Sequence, residues 1–358
     1  MAHTLTNEIF MVDWLNNLYK RPCLPKQKML FASFYLTYIR KYTTPQIGCG
    51  QRAELCNMKL INFIKQFPDE QSCKEHFRLK REQEGISCKE CGCTKHYWLK
   101  AKYQWQCSRC DFRTTLRSGT IMEHAKLPFQ KWYMAMAFMS LTKKGISATE
   151  LQKQMDHSRY ASIWNLMHKI RESMGKRDSL YTLTGMIEMD EGYFEKATPE
   201  GTKLKRGKGS QKQQNVAVLA ESTPLENLDT GITSKHCRYF KMQVLNNHKS
   251  DAINSLFINN IEDSSIVFTD KSTSYVDIAD YVEVHVSEVS TEITTNTTLK
   301  WVHIAIANAK RMLLGIYHKI KGLYLQNYLN EFCYKLNRRY FGDKLFDRLT
   351  LAVAKTYW

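Results

Sequence analysis

Two Cys-x-x-Cys pairs constrain this chain more than any other feature of its sequence. Cys88 and Cys91 form the first pair, and Cys107 and Cys110 form the second about fifteen residues later. Each pair can hold a metal ion from one tight turn, and four cysteine thiolates are a common tetrahedral Zn²⁺ site. The spacing predicts a structural zinc ribbon. Residues 96–105 between the pairs mix aromatic and basic side chains, which is typical of a small exposed hairpin that meets nucleic acid.

Other cysteines compete for the metal in principle. Cys93 is an alternative to Cys91, but only Cys91 has the two-residue gap and a following glycine that permits the turn. Cys73 and His76 lie three residues apart on a predicted helix, and we interpret them as packing residues because four ligands are already provided. An odd total of 11 cysteines fits a metal site in a reducing compartment better than a disulfide scaffold.

The charge of the chain predicts a polyanionic partner. Lys and Arg number 52 against 35 Asp and Glu, which gives a net charge of +17. Nucleic acid is the first candidate and an anionic membrane surface the second. No apolar run approaches the roughly 20 residues that span a bilayer, and the longest candidate, Met29 to Ile39, is interpreted as a buried helix. We therefore expect no membrane-spanning segment.

A helix-turn-helix is predicted after the ribbon. Gly145 supplies a turn, and Ser147 with Glu150 three residues later is the pattern of a helix N-cap. The second helix carries four basic side chains, which we interpret as a face for the major groove of DNA. They are Arg159, His168, Lys169 and Arg171.

Two apolar, strand-like segments each reach an aspartate. Met186 to Met189 leads to Asp190, and Ser265 to Thr269 leads to Asp270. Two aspartates on adjacent strands can hold divalent metal for phosphoryl transfer, although turns also favour aspartate. Between them lies a Gly- and Lys-rich stretch from Lys196 to Lys212, which indicates a basic loop for phosphate backbones or a solvated hairpin tip. Its cations include Lys203, Lys205, Arg206 and Lys208.

The order of these motifs resembles the zinc-ribbon insertion-sequence transposases of the RNase H-like superfamily, in the group similar to ISXO2-like transposases. Coverage runs from about Met58 to Arg339. The segments that carry the resemblance are the ribbon, Lys144 to Ala148, Met167 to Arg171, Met189 to Phe194, Phe268 to Asp270, Trp301 to Ile304, Asn308 to Arg311 and Tyr328 to Arg339.

The resemblance implies a multidomain α+β or α/β protein with an RNase H-like mixed-sheet catalytic domain. It implies a DNA transposase that binds Mg²⁺ or Mn²⁺ through Asp190, Asp270 and a third residue, cuts a strand at the end of its element, and joins it to target DNA. The expected domains are an N-terminal helical extension at 1–57, a helix plus ribbon at 58–115, the helix-turn-helix region at 120–180, the catalytic domain at 183–320 and a helical tail at 321–358.

The third catalytic residue departs from the usual glutamate. No glutamate lies between Leu299 and Gly315, and the branch that the chain most resembles carries asparagine there, which points to Asn308. Helix geometry offers an alternative, because the expected relation to a lysine seven residues later belongs to His303 with Lys310. Glu292 is the third option. Lys310 and Arg311 are expected near phosphate, or are ordinary surface cations.

Two other functions stay open: a catalytically inactive or domesticated DNA-binding derivative, and an RNase H-like nuclease that cleaves without joining. For the transposase, the expected partners are the terminal inverted repeats of the element and target DNA, both double-stranded. Because two DNA ends must meet, we expect a homodimer or a higher oligomer. The expected location is the cytoplasm, with nucleoid association in a bacterium.

Overall fold

The computed structural model describes residues 60–198, 201, 210–226, 233–245, 250–289, 291–317, 320–342 and 344–355. The chain divides into two compact units, Met1–Arg52 with Pro224–Lys235, and Ala53–Thr223 with His236–Trp358. The second unit holds nearly all the described residues. The expected N-terminal extension at 1–57 lies outside them.

Two helices precede a small antiparallel sheet. Helix α1 spans Leu60–Gln66 and helix α2 spans Glu70–Glu84. The sheet consists of β1 (His96–Leu99), β2 (Gln104–Cys107) and β3 (Arg113–Thr115) in that order. Helix α2 begins with a capping box, in which the Ser72 backbone N–H donates to the Asp69 carboxylate over 2.7 Å.

The hairpin of β1 and β2 is only partly exposed. Trp105 is 2% exposed, and its Nε1 donates to Glu82 of α2 over 3.0 Å. Trp105 therefore departs from the predicted exposed hairpin, because a large ring with one donor is most stable when buried against a partner. Tyr97, at 67% exposure, faces solvent.

Three helices follow the ribbon. They are α3 (Phe129–Leu141), α4 (Ala148–Gln154) and α5 (Tyr160–Ser179). The predicted N-cap of α4 is present, since the Ser147 hydroxyl accepts from the backbone N–H of Glu150 over 3.1 Å. The Met and aromatic side chains of α3 lie in the core, as their helical spacing predicts.

The basic face predicted on α5 was wrong for two of its four residues. His168 is 7% exposed and Arg171 is 1% exposed. Arg171 Nε lies 2.7 Å from the Glu331 carboxylate, and its Nη2 donates to the Tyr317 hydroxyl over 3.0 Å. Burial lowers the pKa of His168 to about 3, so this imidazole is neutral. These two side chains fix α5 to the rest of the unit and are not available to DNA.

The second half of the chain contains a five-stranded mixed sheet. Its strands are β4 (Met186–Glu195), β5 (Gln213–Glu226), β6 (Thr233–Val244), β7 (Ile266–Asp270) and β8 (Val284–Glu288), in the order β6-β5-β4-β7-β8. Strand β4 is antiparallel to β5 and parallel to β7, which is in turn parallel to β8. The predicted mixed sheet is confirmed.

Six helical segments accompany these strands. In chain order they are α6 (Ser250–Asn260), a 3₁₀ helix (Thr273–Asp280), α7 (Glu292–Thr297), α8 (Lys300–Ile316), α9 (Gly322–Asn337) and α10 (Lys344–Lys355). Helices α6, α8 and α9 pack on the sheet, whereas α10 packs with α2, α3 and α5. Alternate side chains of β5 enter two different cores, because successive residues of a strand point to opposite faces. Val216 and Val218 pack with α8 and α9, whereas Ala217 and Leu219 pack with α6.

Candidate functional site

The register of two parallel strands brings the two predicted aspartates to the same level of the sheet. Met186 pairs with Ile266 and Glu188 pairs with Phe268. Continuing this offset aligns Asp190 with Asp270. Because aligned residues of parallel strands point to the same face, both carboxylates belong to one site on the α8 side.

Asp190 lies in a setting that disfavours its charge. Burial raises the pKa of its carboxyl above the ordinary value, and the neighbouring Asp270 carboxylate raises it further. The backbone N–H of Glu191 opposes this by donating to Asp190 Oδ1 over 2.7 Å. A carboxyl whose pKa is raised by a second carboxylate in a partly buried site suits a bound cation, which would offset the repulsion.

Helix α8 is positioned by a buried carboxylate. Glu188 is fully buried, and its Oε2 accepts from the backbone N–H groups of Trp301 over 2.7 Å and Val302 over 3.3 Å. These donors belong to the first turn of α8, where they have no partner within the helix. An anion at this end also complements the helix dipole. Glu188 therefore ties the start of α8 to the strand that carries Asp190.

Gly192 allows α8 to approach β4 closely. A Cβ atom at this position would lie 2.9 Å from Cε2 of Phe194 and 3.3 Å from Cγ1 of Ile306. Any larger residue would force these side chains apart. The glycine two residues after Asp190 thus sets the separation between the helix and the strand.

His303 is the α8 residue that meets Asp190. Its Nε2 lies 3.6 Å from Asp190 Oδ2 and is buried without a hydrogen bond in the described part of the chain. A buried nitrogen without a hydrogen bond, 3.6 Å from a carboxylate oxygen, is a fitting donor set for a divalent metal. The residues present therefore fit the metal that the resemblance implies.

Asn308 and Glu292, the other two candidates for the third catalytic residue, differ from His303 in their exposure. Both side chains are exposed. Asn308 follows His303 by five residues, which rotates it by about 140° around the helix axis, whereas Lys310 returns to the face of His303. The structure brings His303 to Asp190 and turns Asn308 away from it.

Two side chains that the sequence analysis did not single out contact Glu191, the residue after Asp190. The hydroxyl of Tyr275 lies 3.5 Å from Glu191 Oε1, and the amide of Asn215 donates to the other oxygen of Glu191. Burial raises the pKa of Tyr275, and the nearby acids raise it further. The signal for Glu188 was present in the sequence as an acid inside the apolar run of β4, but its partners lie more than a hundred residues away.

The predicted basic residues are divided between described and undescribed parts of the chain. The Lys310 ammonium lies 5.7 Å from the ring centroid of Phe194, and Arg311 is exposed. Lys203, Lys205 and Arg206 lie outside the described residues.

The four predicted zinc ligands converge. The Sγ atoms of Cys88, Cys91, Cys107 and Cys110 all lie within 4.8 Å of one another. Cys93 lies outside this group, with its sulfur near the Lys95 carbonyl and the Ser108 hydroxyl. Cys73 is buried, and burial raises the pKa of its thiol to about 12, which agrees with a packing role.

The two halves of the cysteine cluster have the same backbone geometry. The backbone N–H of Gly92 donates to the Cys88 carbonyl over 3.0 Å, and that of Asp111 donates to the Cys107 carbonyl over 3.2 Å. Both residues have positive φ, +69° and +56°. Asp tolerates this conformation better than most residues, so each turn can place two sulfurs towards one point.

One thiol of the cluster is set up to ionise. The backbone N–H of Arg109 donates to Cys107 Sγ over 3.4 Å and lowers the pKa of this thiol to about 6. Thiolates are the form that binds Zn²⁺. The donor set therefore fits zinc.

Comparison with known proteins identifies the second half of the chain. Residues 182–337 match the ISXO2-like transposase domain. The resemblance predicted from the sequence is confirmed over these residues, and the transposase domain contains Asp190, Asp270 and His303. The matched segment ends at Asn337, the last residue of α9.

Other comparisons add less. No curated protein matches the chain. Among solved structures, a pre-cleavage Mos1 transpososome covers 60% of this chain and 76% of its own, with 9% identity and a TM-score of 0.23. The Mos1 mariner paired end complex with Mn gives the same coverage, 11% identity and a TM-score of 0.22. Likenesses at these TM-scores carry no argument about this chain.

Within the described residues, no helix has both the length and the apolar character that crossing a membrane requires.

Proposed function

We propose that this protein is a DNA transposase that binds the ends of its own mobile element, cuts them and joins them to target DNA. The observation that carries the proposal is the alignment of Asp190 with Asp270 by strand register, beside His303, inside the segment that matches the transposase domain. Two clustered carboxylates on adjacent strands are the group that phosphoryl transfer between DNA strands requires.

Asp190, Asp270 and His303 are the residues proposed to hold Mg²⁺ or Mn²⁺. The metal, when bound, would stabilise the charge on the attacking and leaving oxygens of the phosphate. The roles of the surrounding side chains follow from their contacts. Glu188 holds α8 in register, and the Glu191 backbone N–H orients the Asp190 carboxylate.

His303 is proposed as the third ligand in preference to Asn308. The distance of 3.6 Å to Asp190 and the shared face with Lys310 support it. An imidazole nitrogen binds Mn²⁺ more readily than Mg²⁺, because carboxylate and water oxygens are the ligands that Mg²⁺ favours. We therefore expect stronger activity with Mn²⁺ than is usual for a site of carboxylates alone.

The cysteine cluster is proposed to bind one structural Zn²⁺ and to shape a ribbon that contacts DNA. Its four converging thiols support this role. Lys310 and Arg311, together with Lys203, Lys205 and Arg206, are proposed to contact phosphates. A homodimer or higher oligomer follows from the need to bring two ends together.

Strand joining tests the proposal directly. The DNA that flanks the reading frame is used as the end substrate, with a supercoiled plasmid as the target and Mg²⁺ or Mn²⁺ added. Joined products that disappear with EDTA support the transposase. Cleavage without joining supports the nuclease, and sequence-specific binding without cleavage supports the inactive derivative.

A further inference from the structure

A groove with a volume of about 630 Å³ lies further along the strand and the helix that carry Asp190 and His303. Its walls are the end of β4, the start of β5 and the second half of α8, with residues that include Tyr193, Lys196, Lys212, Lys310 and Leu314. The functional roles given above account for Lys310 alone. The other cations of this groove have no assigned role.

Lys196 and Lys212 lie directly opposite each other. The pairing of Glu195 with Gln213 is antiparallel, and the backbone N–H of Lys196 donates to the Lys212 carbonyl over 2.8 Å. Like charges that face each other across a strand pair destabilise the sheet. Neither lysine, nor Lys310, forms an ion pair with a carboxylate in the described part of the chain. A bound polyanion would relieve this repulsion.

Lys196 is held in place by its neighbours. Its Nζ donates to Gln214 Oε1 over 3.0 Å, and its Cδ lies 3.1 Å from the position that a Cβ on Gly322 would occupy. Gly322 begins α9, so the lysine stem packs against a helix end where a larger residue would collide with it. A fixed ammonium loses less rotamer entropy on binding than a mobile surface lysine does.

The residues that line the groove give its distance from the acid site. Phe194, at one wall, follows Asp190 by four strand residues, or about 13 Å at 3.3 Å per residue. Lys310 follows His303 by seven helical residues, or about 10 Å at 1.5 Å per residue. At about 3.4 Å of rise per nucleotide, this corresponds to roughly three or more nucleotides beyond the phosphate that is cut.

The size of the groove favours a single DNA strand over a duplex. Its volume falls within the roughly 300–1,000 Å³ of small-ligand pockets. A duplex, whose major groove alone is about 12 Å wide, is too large for it. The wall also offers apolar and aromatic surface, at Leu314 and Tyr193, that suits unpaired bases.

We infer that this groove, further along β4 and α8 from the catalytic acids, binds a single DNA strand, with Lys196 and Lys212 contacting its phosphates. The inference rests on the proposed function, since it names the path of the DNA strand that the site would cut. It predicts that the element end is locally unpaired when it occupies the site.

Salt-dependent binding of a single strand tests this path. The probe is a fluorescein-labelled ten-nucleotide oligothymidylate, and its anisotropy is measured from 50 to 200 mM KCl with the zinc-loaded full chain. The variant K196Q/K212Q removes two charges but keeps two long side chains. We expect the slope of log affinity against log salt to fall by about 1.4, because each phosphate contact to a single strand contributes about 0.7.

Matched variants separate charge from fold. K196R/K212R keeps both charges and is expected to keep the slope of the natural protein. K344Q removes one exposed lysine outside the groove and is expected to change the slope by less than K196Q/K212Q does. An unchanged slope in K196Q/K212Q, or an equal fall in K196R/K212R, would overturn the inference.

Photocrosslinking locates the strand independently. The same oligonucleotide carrying 5-iodouracil is irradiated on the protein, and crosslinked peptides are identified by mass spectrometry. Crosslinks to Tyr193, Tyr317 or their neighbours in the groove are expected. Crosslinks that fall only outside the groove, or no binding at all, would reject the inference. Absence of cleavage and joining with groove crosslinks retained would reject the proposed function alone.

Discussion

The cysteine cluster and the acid site are both candidate metal sites, yet they are built in opposite ways. The four cysteines come from two turns of one small domain, and backbone N–H groups fix each turn. Asp190, Asp270 and His303 come from β4, β7 and α8, and their meeting depends on strand register and on the Glu188 cap. The first site is local in the chain, and the second requires the whole domain.

The two sites also differ in how their surroundings affect the ionisation of the ligand side chains. A backbone donor lowers the pKa of Cys107 to about 6, whereas burial and a second carboxylate raise the pKa of Asp190. The cysteine cluster therefore favours the thiolate at one of its four sulfurs, while desolvation and neighbouring thiols raise the pKa of Cys91 and Cys110. The acid site retains repulsion between its ligands, which is a common cost of a catalytic arrangement.

The largest expected effect is loss of the ribbon metal. Cys107→Ser should abolish the single zinc per chain, because apparent binding energies of structural zinc reach about 10–16 kcal/mol and depend on all four ligands. Metal analysis of the purified chain measures it. Cys93→Ser is the matched control and should retain zinc. Full zinc content in Cys107→Ser would show that Cys107 does not bind the zinc, which would contradict this description of the cysteine cluster.

Removing the charge of Asp190, a proposed catalytic acid, should leave the fold intact and remove the strand-joining activity. Asp190→Asn is expected to lower strand joining by about a thousandfold or more, since it removes a charge that acts only with the metal in place. Circular dichroism should show an unchanged fold. Asp263→Asn, an exposed acid on the same half of the chain, should keep its activity. Comparable activity in both variants would refute the role of Asp190.

The Glu188 cap should have a smaller effect on stability. Glu188→Gln replaces a buried carboxylate that accepts from two backbone N–H groups at the start of α8. The free energy of unfolding should fall by about 1–2 kcal/mol, the range for a lost helix cap. Urea unfolding measures the change, with the exposed Glu283→Gln as its control. If both variants unfold at the same urea concentration, α8 is held in some other way.

The smallest expected effect is a change in the pH dependence of the metal-free protein. The pKa of Asp190 is raised in the folded state above 3.8, so its protonated form contributes stability that is present below pH 3.8 and lost as pH rises through the folded pKa. With chelator present, Asp190→Asn should therefore melt at a higher temperature than the natural protein at pH 7. The difference should shrink as pH approaches 4. A lower melting temperature at pH 7 would argue against repulsion in this site.

The sequence predicted the local features and missed those that depend on distant partners. Cysteine spacing predicted which four thiols converge, because both turns are short and self-contained. Charge on α5 suggested a DNA-binding face, but the partners of Arg171, Glu331 and Tyr317, lie about 150 residues later. Arginine is rarely buried without such a partner, and no local pattern reveals one.

The choice between Asn308 and His303 shows the same limit. The resemblance favoured Asn308, which ranked first in the sequence analysis, whereas the spacing to Lys310 favoured His303, which ranked second. The rotation of α8 is set by Glu188 at its first turn and by the close approach at Gly192. Both constraints involve β4, which lies more than a hundred residues earlier in the chain.

Manganese binding tests the account of the acid site most directly. The zinc-loaded chain is titrated with Mn²⁺ and free ion is followed by electron paramagnetic resonance, for the natural protein, His303→Ala and Asn308→Ala. We expect His303→Ala to weaken Mn²⁺ binding at least about tenfold, because losing a ligand costs roughly 1.4 kcal/mol or more of binding free energy. Asn308→Ala should bind Mn²⁺ as tightly as the natural protein does. Weakened binding in Asn308→Ala with unchanged binding in His303→Ala would contradict the account.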